Sequence, residues 1–204
     1  MKTKGIYCIE GLWNPDDISD RSTVLPILEL LEKRETCNFI YHDCATYEEL
    51  LFLISTWRKK TVSNKYPILY LAFHGKEERI FVGKETAVTL ELISELLKEK
   101  CYGKVIYFGS CSTLNTDERN IKRFLDKTDA IAAIGYKTEV DWLQATACDL
   151  FVFDALQKDL LDSKGIKNIH DKIISDYGNL HRLLGLRVVI NDRQHFPRKR
   201  KKTK

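Results

Sequence analysis

Short apolar runs alternate with longer amphipathic runs along the chain. Six apolar runs have the length of a strand, and they span residues 5 to 12, 37 to 43, 67 to 74, 104 to 110, 130 to 136 and 186 to 191. Near-continuous apolar strands are typical of a parallel sheet that is covered on both faces. Their alternation with helices predicts a three-layer α/β/α sandwich with a mostly parallel six-stranded sheet.

The predicted helices between these strands begin with recognisable signals. Thr46 is followed three residues later by Glu49, which is the spacing of a capping box. Asn115 and Glu118 have the same spacing, so we expect the helix after the fourth strand to be capped near Asn115. The stretch 141 to 157 is long and apolar, which predicts a well-buried helix.

One segment departs from the regular alternation. Between the third strand and its helix, residues 75 to 89 contain two short strand-like pieces, RIFVG and TAVT, around the turn GKE. This pattern predicts a small β-hairpin after the third strand. Such a hairpin lies at the carboxyl ends of the parallel strands, where doubly wound folds have their active sites.

Length and composition favour one domain. The chain has 204 residues, of which 44% are hydrophobic and 30% charged, and we expect a single domain over residues 1 to 194. No apolar run approaches the roughly 18 residues that a membrane helix needs, and the N-terminus lacks the pattern of a secretory signal. We therefore expect a cytoplasmic protein that does not bind membranes.

The basic character of the chain is concentrated at its end. The formal net charge is +4, but the last eight residues alone carry six Lys and Arg side chains, so the rest of the chain has a formal charge of −2. A body of this charge does not predict specific nucleic-acid binding. Residues 195 to 204 are expected to form a disordered, solvated basic tail.

The six cysteines do not form a pattern of their own. They contain no C-x-x-C pair, and no histidines stand at the spacing of a zinc site. We therefore expect neither a metal nor another cofactor. Most of the thiols are expected to be reduced and buried as small hydrophobic groups.

Two of the central strands lead into reactive side chains. The third predicted strand delivers His74, which Gly75 follows, and the fourth delivers Cys111. If these strands are neighbours, the imidazole can activate the thiol, and the N-terminus of the helix near Asn115 can help to hold a thiolate. The backbone N–H groups of Gly75 and Cys111 are candidate oxyanion donors. The alternative is that Cys111 is inert packing, as cysteines at strand ends often are.

These motifs resemble those of the caspase-like cysteine peptidases of the caspase–gingipain–separase group, and most closely those of CHAT domains. The shared pattern is an apolar strand ending in His-Gly, a hairpin, a helix, and an apolar strand ending in a small residue and Cys. Here it reads LYLAFHG and VIYFGSCSTL, and the resemblance covers residues 66 to 157 in detail. The departure lies at GSCST, because the family more often has Ala or another small residue before the Cys and a different loop after it, although Ser110 is small enough to be tolerated.

The resemblance implies that the first, third and fourth strands are adjacent. It also implies hydrolysis of peptide bonds through a thioacyl-enzyme, with Cys111 as the nucleophile and His74 as its general base or thiolate partner. The amides of Gly75 and Cys111 would form the oxyanion hole. The sequence identifies no third residue that orients the imidazole.

The resemblance places the residues that select the substrate's P1 side chain near the end of the first strand and in the loop after the fifth. These places hold Glu10 with Trp13, and Glu139 with Asp141. Acidic side chains there favour Lys or Arg at P1, whereas a preference for Asp needs a basic residue, and only Lys137 is near. Each residue also has an alternative role that does not involve substrate: Asp141 can cap a helix, Glu10 can face solvent from a loop, and Trp13 can be packing.

Three functions compete. The first is a small thiol peptidase that cleaves protein or peptide substrates after a basic residue, regulated by a protein partner, by dimerisation at the edge strand 186 to 191, or by cleavage of the chain. The second is a catalytically silent adaptor, although such proteins usually lack the His or the Cys. The third is a flavodoxin-like nucleotide or phosphate binder, which ranks last because EGLWNPDD is not a glycine-rich phosphate loop.

Overall fold

The computed structural model describes residues 3–17 and 19–191. The basic tail expected at residues 195 to 204 lies outside the described residues, as does the end of the expected domain. The described part of the chain contains the following strands and helices in order: β1 (Ile6–Gly11), α1 (Leu25–Lys33), β2 (Phe39–Cys44), α2 (Tyr47–Trp57), α3 (Lys60–Ser63), β3 (Ile68–Ala72), β4 (His74–Lys76), β5 (Arg79–Val82), β6 (Thr86–Thr89), α4 (Leu90–Leu97), β7 (Val105–Gly109), α5 (Glu118–Thr128), β8 (Ala132–Tyr136), α6 (Trp142–Leu156), α7 (Ser163–Leu183) and β9 (Leu186–Ile190).

The central sheet has the strand order β2-β1-β3-β7-β8-β9. All of its neighbouring strands are parallel except β9, which runs antiparallel to β8. These six strands are the six that the apolar runs predict. The expected fold class and the adjacency of the first, third and fourth predicted strands are both confirmed.

The sheet is buried on both faces because successive side chains of a strand point in opposite directions. Helices α2, α4 and α5 cover the face that holds Tyr7 and Ile9, and α1, α6 and α7 cover the face that holds Ile6 and Cys8. The central strands β3, β7 and β8 contain no charged residue and are buried along almost their whole length, which is why these segments are nearly continuous apolar runs. The result is a three-layer sandwich.

The predicted hairpin is part of a separate antiparallel sheet with the order β4-β5-β6. Strands β5 and β6 correspond to the two predicted pieces. The third strand, β4, is not in the prediction, which assigned His74 to the end of the preceding strand. That strand, β3, ends at Ala72, and β4 begins at His74 because Gly75 pairs with Ile80 across the hairpin.

The helix starts agree with the prediction in one case and differ in another. Thr46 and Glu49 form the predicted capping box at α2. At α5 the N-cap is Asp117, whose carboxylate accepts the N–H of Arg119, so the prediction of a cap near Asn115 was wrong. The Asn115 amide instead donates to a carboxylate of the hairpin.

Helix α6 is less buried than its apolar sequence predicts. Phe153 is fully buried against the sheet, but Leu143 is 69% exposed on the outer side. The helix therefore has one face in the core and one at the surface. None of the described helices has the length and the apolar character that crossing a membrane requires.

Candidate active site

The register of two neighbouring strands brings His74 and Cys111 together. Ala72 of β3 and Gly109 of β7 are paired across the sheet, and each reactive residue lies two positions beyond its strand's paired residue. Both side chains line one cavity of about 120 Å³ at the carboxyl edge of the sheet. The sheet therefore places the thiol and the imidazole at the same height beside a common space.

Cys111 is half-buried, whereas the other five cysteines are buried. Its Sγ lies 3.7 Å from the carbonyl oxygen of Val140, in the loop between β8 and α6. The next residue, Ser112, has a φ of 51° in the left-handed region, and its N–H donates to the carbonyl of Thr138 at 2.9 Å. A non-glycine residue in this region is uncommon and often marks a functional turn. Cys111 is the accessible thiol of the described chain.

His74 is exposed at the mouth of the cavity and is held by a backbone atom. Its Nε2 lies 2.5 Å from the carbonyl oxygen of Trp13, and its ring meets the Trp13 ring edge-on with centroids 5.4 Å apart. A carbonyl oxygen only accepts, so Nε2 must be the donor, and in the neutral ring Nδ1 carries the free lone pair. Within the described residues no hydrogen bond joins His74 to Cys111. The Trp13 carbonyl is therefore the group that orients the His74 imidazole, which the sequence alone did not identify.

Gly75 allows the hairpin to lie directly on the loop that carries Cys111. A Cβ at this position would lie 2.5 Å from the carbonyl oxygen of Cys111 and would also collide with the Thr113 hydroxyl. Thr113 fixes the same contact, because its hydroxyl donates to the carbonyl of Arg79 at 3.2 Å while its own carbonyl accepts the N–H of Glu78. The position of Cys111 therefore depends on the hairpin.

Replacing Gly75 by Ala is expected to lower the free energy of unfolding by about 1–3 kcal/mol, because the new Cβ meets rigid backbone. The corresponding fall in Tm is about 2–4 °C per kcal/mol for a chain of this size. Gly178→Ala is the matched control, since a Cβ there has nothing within 4 Å. Thermal unfolding of both variants tests this contact, and an unchanged Tm for Gly75→Ala contradicts it.

Glu10, a candidate substrate-binding residue, is buried and has all of its hydrogen-bond partners within the protein. It is only 2% exposed, and its carboxylate accepts hydrogen bonds from the Trp13 indole, the Thr23 and Tyr41 hydroxyls at 2.6 Å each, and the Val24 N–H at 2.8 Å. The alternative role for Glu10, a solvent-facing position in a loop, is therefore wrong, because Glu10 lies in β1 and is buried. Glu10 borders a separate hollow of about 600 Å³, and Trp13 lies between this hollow and the cavity of Cys111.

The two acidic residues after β8 are exposed and stand beside the cavity. Asp141 is the N-cap of α6 and accepts the N–H of Gln144 at 3.0 Å, which agrees with the alternative reading of this residue. The residues that line the cavity are their neighbours Val140 and Trp142, while Glu139 and Asp141 do not line it. The structure therefore brings Trp13, His74 and Cys111 together at the cavity.

The floor of the cavity contains a carboxylate that the sequence analysis missed. Asp149 of α6 is 2% exposed and accepts hydrogen bonds from the hydroxyls of Tyr70, at 2.5 Å, Tyr107 and Tyr136. Burial raises the pKa of the Asp149 carboxyl to about 6, although the three hydroxyl donors act in the opposite direction. Asp149 and Tyr70 both line the cavity that contains Cys111.

Comparison with known proteins gives a family but not an activity. A family of unknown function, DUF6642, matches residues 3–189. The chain belongs to this family. No curated protein matches the sequence. The function therefore has to be argued from the site itself.

Part of the missed carboxylate site has a signal in the sequence. Tyr70, Tyr107 and Tyr136 lie in otherwise apolar strands, and Asp149 lies on the buried face of a mostly apolar helix. Buried hydroxyls and carboxylates need hydrogen-bond partners, so the sequence predicts that these four residues form hydrogen bonds with one another. Which ones meet depends on how α6 lies on the sheet. In residues 3–17 and 19–191, no group of three His, Cys, Asp or Glu side chains is arranged to hold a metal ion.

Proposed function

We propose that the protein is a cysteine peptidase in which Cys111 and His74 hydrolyse peptide bonds. The observation that carries this proposal is the register of β3 and β7, which gives both residues the same offset from the Ala72–Gly109 pair beside one cavity. The resemblance of the surrounding motifs to caspase-like peptidases, and most closely to CHAT domains, supports the same reaction.

The proposed reaction uses the imidazole as base and then as acid. Nδ1 of His74 takes the proton of the Cys111 thiol, and the sulfur attacks the substrate carbonyl carbon. The imidazolium returns the proton to the leaving amine, which leaves a thioacyl-enzyme. Water then attacks the thioester with His74 again as base, releasing the carboxylic acid and restoring the thiol. The hydrogen bond from Nε2 to the Trp13 carbonyl keeps the imidazole in the required tautomer.

The developing oxyanion needs donors beside the sulfur. The backbone N–H of Cys111 is one candidate, because it donates no hydrogen bond within the described residues. The N–H of Gly75 is the other, since Gly75 lies against the carbonyl of Cys111. Two such donors stabilise a tetrahedral intermediate without any side chain.

The proposed enzyme acts in the cytoplasm on protein or peptide substrates and prefers a basic P1 residue. Glu139 and Asp141 support this preference, because they are exposed next to Val140 and Trp142 of the cavity wall. Regulation is proposed to come from a protein partner or from a second copy at β9, the last strand of the sheet.

A thiol-directed activity probe with a P1 lysine tests the proposal. We expect strong labelling of the wild type and none of Cys111→Ala, because Cys111 is the thiol that lines the cavity. Cys44→Ala is the matched control, since Cys44 is fully buried and should label as the wild type does. Labelling of Cys111→Ala at the wild-type level would overturn the assignment of the nucleophile.

A second candidate function is a catalytically silent scaffold with the same fold. One contact favours it: the Cys111 thiol is directed to the Val140 carbonyl and not to His74. In a peptidase this thiol must turn to the imidazole when substrate binds, and catalytic hydrogen bonds often tighten only at that stage. Absence of turnover across a peptide library, together with intact folding and tight binding of a protein partner, would favour the scaffold.

A further inference from the structure

The cavity beside Cys111 is a narrow slot with aromatic walls and a charged floor. Trp13 and Trp142 form part of its walls, and their rings meet edge-on with centroids 6.5 Å apart. Tyr70 and Asp149 also line the cavity and lie further from the sheet edge, since Tyr70 is four residues before His74 and Asp149 is seven residues after Trp142 on α6. A ligand that fills this slot therefore needs an apolar chain that can pack against aromatic rings. The end of that chain lies next to the Asp149 carboxylate.

The carboxylate at the floor has donors but lacks a counter-charge. In the described part of the chain, its hydrogen bonds come from three neutral tyrosine hydroxyls, and none of its bonds comes from Lys, Arg or His. An anion buried without a cation is costly, and a cation that enters the slot removes this cost. The raised pKa of Asp149 has the same origin. Indole walls add attraction for a cation.

We propose, building on the peptidase function proposed above, that Asp149 selects the P1 side chain and that the slot takes lysine in preference to arginine. The stem of the lysine lies alongside the contacting rings of Trp13 and Trp142, and its ammonium group reaches the carboxylate. Acidic P1 side chains are excluded by charge repulsion, and neutral apolar ones leave the anion unpaired. Glu139 and Asp141 at the entrance add only long-range attraction.

The preference for lysine follows from the acceptor positions that remain. A carboxylate offers about four lone-pair sites. Oδ1 of Asp149 accepts from Tyr107 and Tyr136, and Oδ2 accepts from Tyr70, so one position on Oδ2 is left. One position suits the ammonium of lysine, whereas the guanidinium of arginine binds carboxylates best through two parallel hydrogen bonds.

The size of the slot agrees with this choice. Its volume is about 120 Å³, somewhat less than the roughly 150 Å³ of a cavity that holds a benzene-sized molecule. Gly109 leaves room for the Tyr70 ring in the cavity wall, because a Cβ at this position would lie 2.7 Å from the Tyr70 hydroxyl. An unbranched butylammonium group fits such a space more easily than the larger planar group of arginine.

Direct binding of side-chain analogues tests the slot without any peptide cleavage. Tryptophan fluorescence is titrated with n-butylammonium, n-propylguanidinium and n-butanol, since Trp13 and Trp142 line the slot. We expect n-butylammonium to bind the wild type at least about tenfold more tightly than either other probe. Asp149→Asn is expected to remove this advantage. Asp154→Asn is the matched control, because this aspartate of the same helix is ion-paired with Lys158 at the surface.

Peptide cleavage then tests selection in the reaction. Matched peptides with Lys, Arg, Leu or Asp at P1 are compared, and kcat/KM for the Lys peptide is expected to fall at least about 100-fold in Asp149→Asn. A P1 profile that is the same in the wild type and Asp149→Asn, or equal binding of n-butylammonium to both proteins, would overturn the inference. If n-butylammonium binding requires Asp149 but no peptide is cleaved, the cation-binding slot is supported and the proposed peptidase function is contradicted.

Discussion

Replacing His74 by Ala is expected to reduce kcat/KM for peptide substrates by about 10²- to 10⁴-fold, which is the usual contribution of a positioned general base. The imidazole lines the cavity with Cys111, and its Nε2 is tied to the Trp13 carbonyl. In the proposed mechanism, the thiol of this variant lacks its proton acceptor and the leaving amine lacks its proton donor. The loss is expected in kcat more than in KM, because the proposed role of His74 is exerted on the reacting atoms.

Two measurements separate this effect from loss of structure. His42→Ala is the matched control, because His42 lies on β2, its ring is 5.5 Å from that of Tyr7, and it is not part of the cavity. Its variant should retain activity. The Tm of both variants should stay close to that of the wild type, which reports that the fold is retained. Wild-type kcat/KM in His74→Ala would remove the dyad from the mechanism.

The contribution of Asp149 to the free energy of unfolding is expected to fall as the pH rises from about 4 to about 6. The folded pKa of this carboxyl is raised to about 6, above the roughly 3.9 of an unfolded aspartate. Between these values the folded protein binds more protons than the unfolded chain, so its free energy of unfolding decreases with pH. Two pKa units correspond to about 3 kcal/mol.

Asp149→Asn isolates this contribution, because the amide is neutral at every pH and keeps an acceptor for the tyrosine hydroxyls. The free energy of unfolding of the variant minus that of the wild type is expected to rise by about 2 kcal/mol between pH 4 and pH 7. Urea unfolding at several pH values gives this difference. Asp154→Asn, at the surface, should show no comparable change. A difference that stays constant with pH would mean that Asp149 does not titrate in this range.

Some of the candidate site was accessible from sequence because strands obey local rules. An apolar run followed by His-Gly or by Ser-Cys marks the end of a buried strand, and ends of parallel strands meet at one edge. The pairing of Ala72 with Gly109 then fixed which two ends meet. The helix cap expected near Asn115 was wrong because Asp117 has the same chemistry and lies closer to the first turn.

Other parts of the site were beyond local rules. The group that orients His74 is the backbone carbonyl of Trp13, and a carbonyl has no signature in the sequence because every residue has one. Glu10 looked available to substrate, yet the folding of residues 13, 23, 24 and 41 around it supplies all of its partners. These contacts depend on segments that are separate in sequence.

The sequence by itself determined the layered fold and the six strands, and it singled out His74 and Cys111 as candidates, because hydrophobic periodicity and strand ends are local properties of the chain. Only the tertiary structure decided what surrounds them. The docking of α6 on the sheet brings Asp149 under Tyr70, Tyr107 and Tyr136 and makes it the floor of the cavity of Cys111. The rotation of a helix on a sheet is set by packing across the whole core, and no local pattern encodes it.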